Sequence, residues 1–66
     1  MKNNVKAYRG LHKMTQQELA DMVQVSRQTI ISIECNRYTP SVLLALKIAD
    51  FFKLSVEDIF KISHEK

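Results

Sequence analysis

The stretch from Thr15 to Arg37, TQQELADMVQVSRQTIISIECNR, holds most of the residues in this 66-residue chain whose types and spacing suit them to recognition chemistry. Ile30 and Ile33 are spaced i, i+3 for burial in one helix, which turns Arg27, Gln28, Ile31 and Ser32 to the opposite side. A guanidinium fork, a primary amide and a hydroxyl then share one exposed face. Arginine can bond bidentately to guanine, glutamine to adenine, and serine to either, so this face has the chemistry to read base edges in a DNA groove. The same residues on one helix considered alone are better explained as a solvated surface.

Other chemistries find no support. His12, Cys35 and His64 are too scattered for a metal motif, and Cys35 has no neighbouring His or base to make it a nucleophile. There is no Gly-rich phosphate loop and no pair of catalytic carboxylates, so no enzyme, cofactor or small-molecule ligand is expected. A single cysteine forms no internal bridge, which excludes a disulfide scaffold and fits a reducing compartment. No apolar run reaches the ~18 residues of a membrane span, and the N-terminus has no signal-peptide h-region, so no membrane partner and a cytoplasmic location are expected.

The net charge is +3. Residues 1–40 carry six Lys and Arg against three Asp and Glu, whereas residues 41–66 carry four against four. The excess therefore lies in the half that contains Thr15 to Arg37, as suits a protein meeting a polyanion with one end. Ordinary surface charge is the alternative reading.

Five helices are predicted to position these residues in one domain over 1–66. Asn3 or Asn4 caps a first helix reaching about Lys13, with Val5, Tyr8 and Leu11 or His12 on one side, and Gly10 inside it costs about 1 kcal/mol against Ala. Thr15 and Glu18 form a capping box, opening a short helix with Leu19, Ala20 and Val23 inward and Met14 placed as a staple. Gln24 and Val25 make the turn and Ser26 caps the next helix, which ends near Asn36, while Pro40 disfavours helical geometry at Thr39. From Ser41 a longer helix runs to about Lys53, with Leu44, Ala45, Ile48, Ala49 and Phe52 on one face. Ser55 caps a last helix, Val56 to Phe60, through a box weakened by Asp58 in place of Glu. The tail, 61–66, is frayed or extended, or joins a dimer contact.

These pieces resemble the helix-turn-helix family of phage Cro and repressor proteins and their prokaryotic relatives, of the XRE type. The resemblance runs from about Val5 to Phe60. It is carried by Thr15-Gln16-Gln17-Glu18-Leu19-Ala20, Val25-Ser26-Arg27-Gln28-Thr29-Ile30, Ile33-Glu34, Arg37-Tyr38-Thr39-Pro40-Ser41, Leu44-Ala45-Leu46-Lys47-Ile48-Ala49 and Val56-Glu57-Asp58-Ile59-Phe60. The chain is most similar to small regulators consisting of the DNA-binding domain alone.

The resemblance implies an all-α, five-helix bundle with Gln16 to Val23 as supporting helix and Arg27 to Cys35 as recognition helix. It implies base contacts by Arg27, Gln28 and Ser32, a phosphate contact by Gln16, and backbone contacts by Gln17, Thr29 and Arg37. It also implies an ion pair between Arg9 and Glu34, tying the first helix to the end of the recognition helix. Lys13, Gln24, Asn36 and Lys53 stand where relatives often carry Gly, and Cys35 where Asn is common. Ile31, Leu43 and Phe51 replace residues that are often polar.

The many large apolar residues near the C-terminus exceed what so small a chain hides, and a contiguous exposed patch marks an interface. A homodimer through Phe51, Leu54 and Ile62 is therefore expected. It would place two recognition helices about 34 Å apart, matching successive major grooves of a palindromic operator in double-stranded DNA. The function expected is transcriptional regulation, as a repressor, because the chain has no room for an activating or sensing domain. An antitoxin-like interaction module and a nonspecific nucleic-acid binder are the alternatives.

Overall fold

A computed structural model describes residues 2–61, with side chains described for 3–60. Its elements in chain order are β1 (Lys2–Asn3), α1 (Val5–Leu11), α2 (Gln16–Val23), α3 (Arg27–Glu34), α4 (Val42–Phe52), α5 (Val56–Ile59) and β2 (Phe60–Lys61). The architecture is an all-α five-helix bundle. Its two ends are closed by one short antiparallel pairing, Lys2 opposite Lys61 and Asn3 opposite Phe60, which helical periodicity gives no sign of.

Side-chain caps set where four of the helices begin. Thr15 Oγ1 accepts from the Glu18 amide at 3.0 Å while Glu18 Oε1 accepts from the Thr15 amide at 2.7 Å, completing the capping box of α2. Ser26 accepts from the Thr29 amide and Ser41 from the Leu44 amide, each satisfying a donor of the first turn. At α5 the shorter Asp58 carboxylate still reaches the Ser55 amide at 3.1 Å and the Ser55 hydroxyl at 2.9 Å, so that box is complete too.

The first helix departs from its expected limits. It stops at Leu11, and Asn4 occupies the N-cap position without a side-chain cap bond; Asn3 instead accepts from the Val5 amide at 3.1 Å. Leu11 is 74% exposed. The inward role falls to Tyr8, which packs partly buried against the core with its ring 6.0 Å from that of Phe52, while the exposed His12 lays its ring 5.1 Å from the same Phe52.

The chain reverses after α1, α2, α3 and α4 at Lys13, Gln24, Asn36 and Lys53, with φ of 55, 63, 60 and 58°. In each case the amide of the following residue reaches back to a carbonyl of the last turn: Met14 to Arg9, Val25 to Ala20, Arg37 to Ser32 and Leu54 to Ala49. These are Schellman endings, in which one left-handed residue satisfies carbonyls the helix leaves open. They fall on the four positions where the resemblance leads to an expectation of glycine, the residue that adopts this conformation without steric cost.

Burial follows the helical stripes. Val5, Leu19, Ile30, Ile33, Ile48 and Ile59 are fully buried, so every helix contributes at least one large side chain to a single core. Each such side chain stabilises the fold by about 1.5–3 kcal/mol before entropy is counted. Met14, Val25, Phe51, Leu54 and Val56 pack partly buried around it.

Candidate nucleic-acid interface

Helix α3 presents its outward face because Ile30 and Ile33 anchor the inward one. At 100° per residue, Arg27 and Thr29 fall on opposite edges of that face, with Ile31, Gln28 and Ser32 between them. Arg27 and Gln28 are exposed, while Ile31, Ser32 and Thr29 are half-buried. Thr29 Oγ1 lies 2.9 Å from Ser26 Oγ, so its hydroxyl is already engaged in the cap. Among the described residues, the side chains of Arg27, Gln28 and Arg37 have no hydrogen-bonding partner, leaving their donors open to a ligand.

The far end of α3 is braced from three directions. Arg9 Nε and Nη2 donate to Glu34 Oε2 and Oε1 at 2.8 and 3.3 Å, and Arg9 Nη1 donates to the Met14 carbonyl at 2.7 Å. Gln16 Nε2 donates to Glu34 Oε1 at 3.0 Å, coupling the start of α2 to the same carboxylate. Asn3 Nδ2 reaches the Ile33 carbonyl at 2.8 Å and Asn36 Oδ1 at 3.0 Å. With the Glu34 side chain only 4% exposed, three donors replace the water it has lost.

Two grooves border the outward face. One, of about 700 Å³, lies on the Arg27 side and is lined by Lys6, Arg9, Thr15, Gln16, Gln17 and Arg27. The other, of about 250 Å³, lies on the Thr29 side and is lined by Ser26, Gln28, Thr29, Ser32 and Tyr38. Because Arg9 is neutralised by Glu34, Lys6 and Arg27 are the cations left facing the first groove. Gln17 also borders it, with its amide donating to Asp21 at 2.9 Å. From the sequence, Lys6 has no assigned role and Tyr38 enters only as part of the Arg37 to Ser41 stretch, not as a site residue.

A helix-turn-helix family model matches residues 5–59. The chain belongs to the helix-turn-helix family. It is 58% identical over 60 residues to an uncharacterized HTH-type transcriptional regulator of Methanocaldococcus jannaschii, covering 91% of each chain. To the uncharacterized HTH-type transcriptional regulator YgzD of Bacillus subtilis it is 45% identical over 65 residues, covering 98% of each. Among solved structures it is similar to the clp gene regulator ClgR of Corynebacterium glutamicum, with a TM-score of 0.75 and 26% identity. That likeness covers 82% of this chain and 57% of ClgR, so the chain matches little more than half of the larger protein.

As a helix-turn-helix protein the chain divides into α2 and α3, joined by the Gln24–Val25 turn, and a scaffold of α1, α4 and α5 that orients them. On the scaffold, Phe51 and Leu54 are half-buried and pack against the core, with the Phe51 ring 5.2 Å from that of Phe52; Ile62 lies outside the described residues. The large exposed apolar side chains of α4 are Val42, Leu43 and Leu46, at 77, 64 and 51%. Five residues on from Leu46, Phe51 falls on the far flank of the helix. Cys35 is exposed at the C-cap of α3. No helix among the described residues is long and apolar enough to cross a membrane.

Proposed function

We propose that this helix-turn-helix protein is a sequence-specific, double-stranded DNA-binding transcriptional regulator that represses by occupying a palindromic operator as a homodimer. The observation that carries the DNA reading is the outward face of α3. Arg27 and Gln28 stand exposed with unused donors, while the opposite end of the helix is held by Glu34, Arg9, Gln16 and Asn3. A reading helix held at one end and open at the other meets base edges in a defined orientation.

Roles then follow from position. Arg27, Gln28 and Ser32 contact bases; Gln17, Thr29 and Arg37, with the amides at the start of α2, contact the backbone. Gln16 acts on a phosphate and on Glu34 together, since one N–H of its amide serves the carboxylate and the second is left to donate to a phosphate. Arg9 and Glu34 set the angle of α3.

The homodimer reading draws on apolar surface. To the contact through Phe51, Leu54 and Ile62 it adds Val42 and Leu46, the more exposed apolar side chains one helical turn apart on α4. Val42 lines an apolar groove with Pro40, Ala45, Val56 and Phe60.

Selection of bound duplexes from a random pool tests the proposal as a whole. The expected product is a palindrome with half-sites one helical turn apart, bound far more tightly than its scrambled counterpart at the same salt. Equal affinity for both sequences overturns specific recognition, and a single unrepeated half-site overturns the symmetric dimer. Placing the selected site over a promoter in a purified transcription reaction tests repression, and a rise in transcript overturns it.

A further inference from the structure

Tyr38 is the exposed aromatic nearest to the reading face. It is 46% exposed, takes part in none of the ring contacts among the described residues, and its hydroxyl has no hydrogen-bonding partner there. Tyr8, the other tyrosine, packs its ring toward Phe52. The left-handed turn at Asn36 folds the chain back beside α3, so that Tyr38 forms a wall shared by two grooves. One holds Gln28, Thr29 and Ser32; the other, of about 300 Å³, holds Thr29, Ser41, Leu43 and Lys47.

A helix lying in the major groove is flanked by one phosphate backbone on each side, because the groove is only about 12 Å wide. With α3 in a major groove, the groove lined by Lys6 and Arg27 on the Arg27 edge would face one strand. The Thr29 edge would then face the other strand, and Tyr38 borders that edge with an apolar ring and an unused O–H, a pairing suited to a surface that is part sugar and part phosphate.

We infer that Tyr38 is a further DNA-contacting residue: its hydroxyl donates to a backbone phosphate on the Thr29 side of α3 while its ring packs on the adjoining sugar. The inference rests on the DNA-binding reading above. Tyr38 is a neutral phosphate contact. Its loss weakens binding on every sequence alike and leaves the number of counterions released on binding unchanged, whereas the loss of a lysine or arginine contact lowers it.

The test uses the full chain and the operator duplex recovered by selection. Tyr38→Phe keeps the ring and removes one hydrogen bond to a charged acceptor, so a roughly tenfold loss of affinity is expected. The slope of log affinity against log salt is expected to stay at its wild-type value, whereas Arg37→Gln shallows it by about 1. The chain has two tyrosines and no tryptophan, so in a Tyr8→Phe background the tyrosine emission belongs to Tyr38 alone and should change on saturation with duplex.

Wild-type affinity in Tyr38→Phe, with unchanged Tyr38 emission in the complex, overturns the inference while leaving Arg27→Ala free to support DNA reading. A loss of affinity that tracks dissociation of a dimer in sedimentation overturns it in favour of a protein contact. Failure of the wild-type chain to bind any duplex overturns both readings.

Discussion

Arg9 and Glu34 meet across 25 positions of sequence through two hydrogen bonds of 2.8 and 3.3 Å, and the carboxylate also takes a third from Gln16 at 3.0 Å. This joins α1, the start of α2 and the end of α3 at one buried point. A helix that reads DNA has to be held at a fixed angle, and here the constraint sits at the end remote from Arg27 and Gln28.

Removing either partner leaves the other without its ion pair. Arg9→Ala and Glu34→Ala are each expected to destabilise the fold by about 3–5 kcal/mol in urea unfolding, since an uncompensated buried charge is left behind. Gln16→Ala removes only one of three donors to Glu34 and should cost about 1.5–3 kcal/mol. Equal losses for all three variants would show that Gln16 is as central to the brace as Arg9.

Base readers are distinguished from backbone contacts by sequence dependence. Arg27→Ala and Gln28→Ala should each lose about 1–3 kcal/mol on the selected operator and relax preference at one base pair. Binding to variant duplexes, measured at fixed salt, checks this. A loss of the same size on every duplex would reassign both side chains to the backbone.

Gly10 lies inside α1, where a Cβ would meet nothing within 4 Å and φ is not positive. Gly10→Ala is therefore expected to stabilise the chain by about 1 kcal/mol, through lower unfolded-state entropy and better helix propensity. Lys53 presents the opposite case at φ 58°. Lys53→Gly relieves a left-handed conformation costing about 1–2 kcal/mol and gives part of that back as unfolded-state entropy, so a rise of about 0.5–1 kcal/mol is expected. Thermal or urea midpoints measure both.

The proposed dimer contact on α4 is tested by charge. Leu46→Glu replaces a half-exposed apolar side chain without touching the core, and is expected to leave the unfolded baseline and helical signal unchanged while sedimentation shifts from dimer to monomer at micromolar concentration. If Phe51→Glu alone produces that shift, the contact lies on the other flank of the helix.

What the sequence determined by itself is local. Thr15 with Glu18, Ser26, Ser41, and Ser55 with Asp58 cap helices because each bonds an amide only three positions away, and the i, i+3 spacing of Ile30 and Ile33 sets which face of α3 is outward. Of the four left-handed turns, Asn36 was legible from its residue type, since Asn tolerates that conformation, whereas Lys13, Gln24 and Lys53 do not by themselves demand positive φ. Tertiary structure decided everything that joins distant residues. It paired Asn3 with the Ile33 carbonyl across 30 positions, turned Gln16 toward Glu34, and closed the ends through Lys2 and Lys61. It also set Phe51 and Leu54 against the core, left Val42 and Leu46 outside it, and stood Tyr38 beside Gln28 and Ser32. A cap is fixed by the reach of one side chain over one turn, whereas these contacts depend on how helices cross, and that angle emerges only when all five bury their apolar stripes in one core.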